Sequence, residues 1–123
     1  MEKTILVVDD EEEIVSFLER FLQRMNLSSI KATSGREALR LYVEKKVDLV
    51  FLDIQLESRD GHDGLSVLRE LRKQNSSAQV IMITGRIEQE YQDKARELGA
   101  IDYIVKPLDL GDLRQKINKY IPQ

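Results

Sequence analysis

Apolar residues along this chain fall into two alternating patterns. Short β-rich runs at residues 5–8, 29–32, 49–52, 80–83 and 103–105 are separated by segments with helical spacing. The first, third and fourth runs are wholly apolar, as the strands of a parallel sheet covered on both faces must be. Ile14, Leu18, Leu22 and Met25 recur at i, i+4, i+8 and i+11 and form one helical stripe. Ser34 followed by Glu37 reads as a capping box opening a second helix. Leu65, Leu68 and Leu71 predict a third. Ile87, Tyr91, Ala95 and Leu98 predict a fourth, with Gly99 placed to end it. Asp109 is positioned to cap a fifth, whose stripe is Leu110, Leu113, Ile117 and Ile121. Strand and helix alternate throughout, which predicts right-handed crossovers and one doubly wound α/β domain over residues 1–123.

Composition narrows the class without naming a function. A chain of 123 residues with 41% hydrophobic and 33% charged residues suits a single soluble globular domain. Its formal net charge of -3 argues against direct nucleic-acid binding, which draws on a basic stripe. The absence of cysteine excludes disulfides and thiolate metal sites. The longest apolar runs have four residues, far short of the roughly 20 that span a bilayer, and no signal-like segment follows Met1. A cytoplasmic location is expected.

In doubly wound sheets, ligands sit beyond the carboxyl ends of the strands. Reading those ends in turn gives Asp9 and Asp10, then Asp53, then Thr84, then Lys106 followed by Pro107. Each has an ordinary reading by itself. The acids from Asp9 to Glu13 match the dipole of a helix N-terminus, Asp53 and Thr84 suit caps or turns, and Lys106 suits a surface. Together they are a site. Carboxylates converging from adjacent strands repel unless a hard cation such as Mg²⁺ joins them. A lysine and a hydroxyl beside them suit a phosphoryl group.

The motifs Val8-Asp9-Asp10, Phe51-Leu52-Asp53, Ile83-Thr84-Gly85 and the run from Gly99 to Pro107, in this order, resemble the receiver domain of two-component response regulators. The resemblance runs from Thr4 to Tyr120 and implies a flavodoxin-like (βα)5 fold with strand order 2-1-3-4-5. It implies a phosphorylation-controlled switch in which Asp53 accepts a phosphoryl group from a sensor histidine kinase or phosphotransfer protein. Asp10, Asp53 and the backbone carbonyl of Gln55 would hold Mg²⁺ directly, with Asp9 reaching it mainly through water. Lys106, joined to Pro107 by a cis bond, would pair with Asp53 and then with a phosphate oxygen. Thr84 would turn toward the phosphate and Tyr103 would follow it. Output would pass to a domain or protein docked on the fourth helix, fifth strand and fifth helix, or to a phosphorylation-dependent homodimer. Such a module phosphorylates and dephosphorylates only itself.

The chain departs from the family after the acceptor. Glu57 stands where a proline is common, and the segment from Glu57 to Gly64 carries two Asp-Gly steps and an apparent three-residue insertion. Either Gly61 or Gly64 fits the family's glycine. His62, the only histidine, lies in that loop and reads as an exposed loop residue. Gln55 and Arg86 flank the expected water path and, by their bulk, would lengthen the life of the phosphoryl group.

Rival functions fit less well. A Mg²⁺-dependent aspartyl phosphatase needs a general acid just beyond its nucleophile, where Gln55 stands. A flavodoxin-like cofactor binder needs a phosphate-holding turn after the first strand, and acids there repel phosphate. A degenerate receiver serving only for docking has no need of Asp9, Asp10, Asp53, Thr84 and Lys106 together.

Overall fold

Side chains on a strand alternate between faces, and here both faces of the three central strands are buried. From the first strand, β1 (Thr4–Val8), Ile5 and Val7 enter one apolar cluster and Leu6 and Val8 the other. The computed structural model describes residues 2–56 and 63–122. The elements that follow are α1 (Glu12–Arg24), β2 (Ser28–Ala32), α2 (Gly35–Glu44), β3 (Leu49–Leu52) and α3 (Gly64–Gln74). The chain then forms β4 (Val80–Thr84), α4 (Gln89–Glu97), β5 (Asp102–Val105) and α5 (Leu110–Tyr120). All strand pairs are parallel, in the order β2-β1-β3-β4-β5, as expected for a doubly wound, flavodoxin-like sheet.

The two faces are filled by different helices. Val15, Leu18, Phe21 and Leu22 of α1 and Leu113 and Ile117 of α5 pack on Ile5, Val7, Phe51, Ile81 and Ile104. Ala38 and Leu41 of α2, Val67, Leu68 and Leu71 of α3 and Ala95 of α4 pack on Leu6, Val8, Val50, Leu52 and Met82. Burying a large aliphatic side chain contributes about 1.5–3 kcal/mol, so these two layers supply most of the drive to fold.

The predicted caps form, with one shift. Ser34 accepts from the Glu37 N–H at 3.2 Å, but the Glu37 carboxylate reaches back to the N–H of Thr33, one residue before the cap. Asp109 accepts from the Asp112 N–H, and Gly99 ends α4 at φ 103°, a conformation that favours glycine.

Two predicted stripe residues are exposed. Ile87 is 69% exposed because it precedes α4: Glu88 is the cap, in extended conformation, so helical spacing does not reach Ile87. Leu110 is 49% exposed as the first residue of α5. A helical side chain leans toward the preceding turn, and at a helix start there is none to cover it.

Candidate functional site

The site begins with strand register. Val8 pairs with Leu52 across β1 and β3, so Asp9 and Asp53 leave the sheet side by side. Their backbones are tied: the Asp53 N–H donates to the Val8 carbonyl at 3.1 Å, and the Asp9 N–H to Ala32 at 3.3 Å. On the other flank Thr84 pairs with Val105, and the Lys106 N–H donates to the Thr84 carbonyl at 2.8 Å. The Lys106–Pro107 bond is cis, as the family resemblance implies.

These ties bring the predicted residues together. One carboxylate oxygen from each of Asp9, Asp10 and Asp53 lies within 4.8 Å of the others. Asp9 and Asp53 are buried, and Thr84 is fully so. The Lys106 ammonium donates to Asp9 at 2.9 Å and to Asp53 at 3.1 Å. Each carboxylate is also held by the backbone two residues on. The Glu11 N–H donates to Asp9 Oδ1 at 2.9 Å, and the Gln55 N–H to Asp53 Oδ1 at 3.0 Å.

Burial and charge oppose one another here. Burial raises the pKa of Asp9, and this outweighs the stabilising N–H of Glu11 and the Lys106 hydrogen bond; the nearby Asp53 charge adds to the rise. Burial of Lys106 works against its charge, but the hydrogen bond to Asp9 and the charges of Asp53 and Asp9 overcome it, so its pKa is raised. One half-buried ammonium faces the three closely spaced carboxylates of Asp9, Asp10 and Asp53, leaving an excess of negative charge and of hard oxygen donors. That donor set fits a small divalent cation.

A second set of contacts leads away from the acids. The Arg86 N–H donates to Thr84 Oγ1 at 3.3 Å, and the Arg86 carbonyl accepts from the Tyr103 hydroxyl at 2.8 Å. Residue 86 therefore joins Thr84 to Tyr103 through its backbone. Its guanidinium lies 5.1 Å from the centre of the Tyr91 ring and pairs with Glu88 at 3.3 Å. Burial, followed by the Glu88 and Asp53 charges, raises the Tyr103 phenol to about 12.

Glu11 escaped sequence reading, and Gly64 was one of two candidate glycines there. Glu11 was one acid among five in a row; its carboxylate takes the third Lys106 contact at 3.1 Å. Nothing in the sequence sets it apart from Glu12 and Glu13. Gly64 packs so closely on the Asp53 carbonyl and Ile54 Cα that a Cβ would overlap both. Its N–H donates to the Ile54 carbonyl at 3.2 Å. Of the two Asp-Gly steps, the second thus supplies a glycine that the site requires. Residues 57–62, with Glu57, Gly61 and His62, lie outside the described residues. Among the described residues, no helix is long and apolar enough to cross a membrane.

Comparison with known proteins agrees with this geometry. A family model described as the response regulator receiver domain matches residues 5–118. The chain is 38% identical over 117 residues to the alkaline phosphatase synthesis transcriptional regulatory protein PhoP of Bacillus subtilis (strain 168), covering 95% of this chain and 48% of that protein. It is 30% identical over 122 residues to sporulation initiation phosphotransferase F of the same organism, covering 99% of this chain and 96% of that one. It therefore spans about half of the first relative and nearly all of the second. Among solved structures, a CheY-like receiver domain protein from Methanospirillum hungatei JF-1 superposes with a TM-score of 0.90 at 28% identity, covering 97% of this chain and 93% of that one. Response regulator TrrA from Thermotoga maritima, solved in complex with Mg(2+)-BeF, gives 0.86 at 34% identity, covering 97% and 99%. The chain belongs to the response regulator receiver domain family, whose members are signalling modules rather than enzymes acting on a separate substrate.

Proposed function

We propose that this domain is a switch thrown by phosphorylation of Asp53, with a sensor histidine kinase or a phosphotransfer protein as donor. The observation that carries the reading is the Lys106 ammonium bridging Asp9 and Asp53 beside Asp10, at the carboxyl edge of the sheet. Asp10, Asp53 and the Gln55 carbonyl would hold Mg²⁺ directly, with Asp9 reaching it through water. Mg²⁺ bound there supplies neutralisation of the phosphoryl oxygens.

The chain's own groups do the rest. A carboxylate oxygen of Asp53 attacks phosphorus, the bond from phosphorus to the donor's imidazole nitrogen breaks, and the freed imidazole keeps the electron pair and takes up a proton. The product is an acyl phosphate on Asp53. Lys106, already within hydrogen-bond distance of Asp53, turns one N–H to a phosphoryl oxygen. Thr84 donates a hydrogen bond from its hydroxyl to another. To do so it turns away from the Arg86 N–H, which loosens the backbone of the residue whose carbonyl also receives the Tyr103 hydroxyl. Tyr103 then repacks. A charge gained at one residue thereby becomes a change of surface at α4, β5 and α5. That face would carry the signal to an output domain, to a downstream protein or to a second copy of the domain.

The test is chemical. With Mg²⁺ and a small acyl-phosphate donor, one phosphoryl group should appear per chain and be lost in Asp53→Asn. Labelling of that variant at the wild-type extent would refute the assignment.

A further inference from the structure

An ammonium has three hydrogens, and all three of Lys106's are taken. The acceptors are Asp9 at 2.9 Å, Asp53 at 3.1 Å and Glu11 at 3.1 Å. These partners are not equivalent. The side chains of Asp9 and Asp53 are 4% and 2% exposed, and each has its second oxygen fixed by a backbone N–H. The Glu11 side chain is 59% exposed. Glu11 is the N-cap of α1, yet its side chain accepts no capping hydrogen bond, and its carboxylate is committed to Lys106 instead. Of the three contacts, only this one opens to water at little cost, because exposed ion pairs are weak.

We infer that Glu11 is a positioning residue for Lys106, an internal anion that occupies the third ammonium hydrogen at rest and must yield it to a phosphoryl oxygen. It holds the lysine head over the acids before phosphorylation and competes with the phosphoryl group afterwards. Glu11 therefore lowers the affinity of the site for phosphate-like ligands. Glu12 and Glu13 carry the same charge on the same turn but form no ion pair among the described residues, which makes them internal controls. The inference rests on the acceptor reading of Asp53.

The experiment measures beryllofluoride affinity by ¹⁹F NMR at saturating Mg²⁺ and about 0.15 M salt, where exposed charges are largely screened. Glu11→Gln and Glu11→Ala are expected to bind roughly two- to fivefold more tightly than wild type, the range for losing one partly exposed ion pair. Glu12→Gln and Glu13→Gln should stay near the wild-type value. A merely structural role for Glu11 would leave affinity unchanged or weaken it, so tightening is the diagnostic sign. Unchanged or weaker binding by both Glu11 variants overturns the inference, as does equal tightening by the Glu12 and Glu13 variants. Both outcomes leave the acceptor reading intact. Failure of the wild type itself to bind beryllofluoride overturns the acceptor reading and this inference together. Because the Glu11 side chain caps no helix N–H, its replacement removes no side-chain cap; thermal unfolding without beryllofluoride checks that the variants fold.

Discussion

The Tyr103 hydroxyl donates to the backbone carbonyl of Arg86 at 2.8 Å, while the N–H of the same residue is given to Thr84. The backbone of one residue thus reads the position of a site hydroxyl on one side and holds an aromatic side chain on the other. Tyr103→Phe removes only the second contact. It is expected to cost about 0.5–1.5 kcal/mol of stability in urea unfolding and to leave the extent of Asp53 labelling unchanged. Loss of labelling would show that Tyr103 serves the chemistry rather than its relay.

Tyr103 also sets an alkaline limit. Its phenol is raised to about 12 in the fold, against about 10 in an unfolded chain. The native state therefore favours the protonated form. That contribution is whole below about pH 10 and fades as pH rises toward about 12. Wild-type stability should fall across this window more steeply than that of Tyr103→Phe. Parallel curves would contradict the assignment.

Asp9 behaves in the opposite manner to a stabilising ion pair. Its pKa is raised by burial and by Asp53 despite Lys106, so its charged form is disfavoured in the fold at neutral pH. Without divalent cation, Asp9→Asn should be more stable than wild type at pH 7. The difference should shrink as pH falls toward about 4, where the unfolded chain also begins to hold the proton. Mg²⁺ should stabilise wild type more than this variant. Denaturant titrations with Mg²⁺ or a chelator separate the two effects.

Gly64→Ala places a methyl group against the Asp53 carbonyl and Ile54 Cα, which are backbone atoms and cannot step aside cheaply. A loss of about 1–3 kcal/mol is expected, the usual cost of overpacking, together with slower labelling as the Asp53 turn is displaced. Wild-type stability in this variant would mean that the α3 start does not depend on that approach.

Gln55 and Arg86 have different claims to shield the acyl phosphate. The Gln55 side chain reaches across to Gly85, where a Cβ would meet its Oε1 at 3.6 Å. The Arg86 guanidinium is engaged by Tyr91 and Glu88, so shielding by it requires those contacts to break. Gln55→Ala should shorten the phosphoryl lifetime more than Arg86→Ala. The reverse order would assign the shielding to Arg86.

The strand and helix order was legible because it is written in local periodicity. Runs of two-faced apolar strands alternate with one-faced helices, and the residue after each strand follows directly. Asp9, Asp10, Asp53, Thr84 and Lys106 were found this way, since their place at the sheet edge depends only on where each strand stops. Local pattern failed at Ile87, which lies before the cap of α4, and at Leu110, the first residue of α5, which has no preceding turn to cover it.

What only the tertiary structure decided are matches between distant residues. Glu11 meets Lys106 across 95 positions of chain, and identical acids beside it do not. Gly64 closes on Asp53 because α3 begins there. The Arg86 backbone joins Thr84 to Tyr103 because β4 and β5 pair in one register. Sequence determines which chemical groups reach the sheet edge. Which of them touch is a matter of ångströms, set by register and packing once the chain has closed.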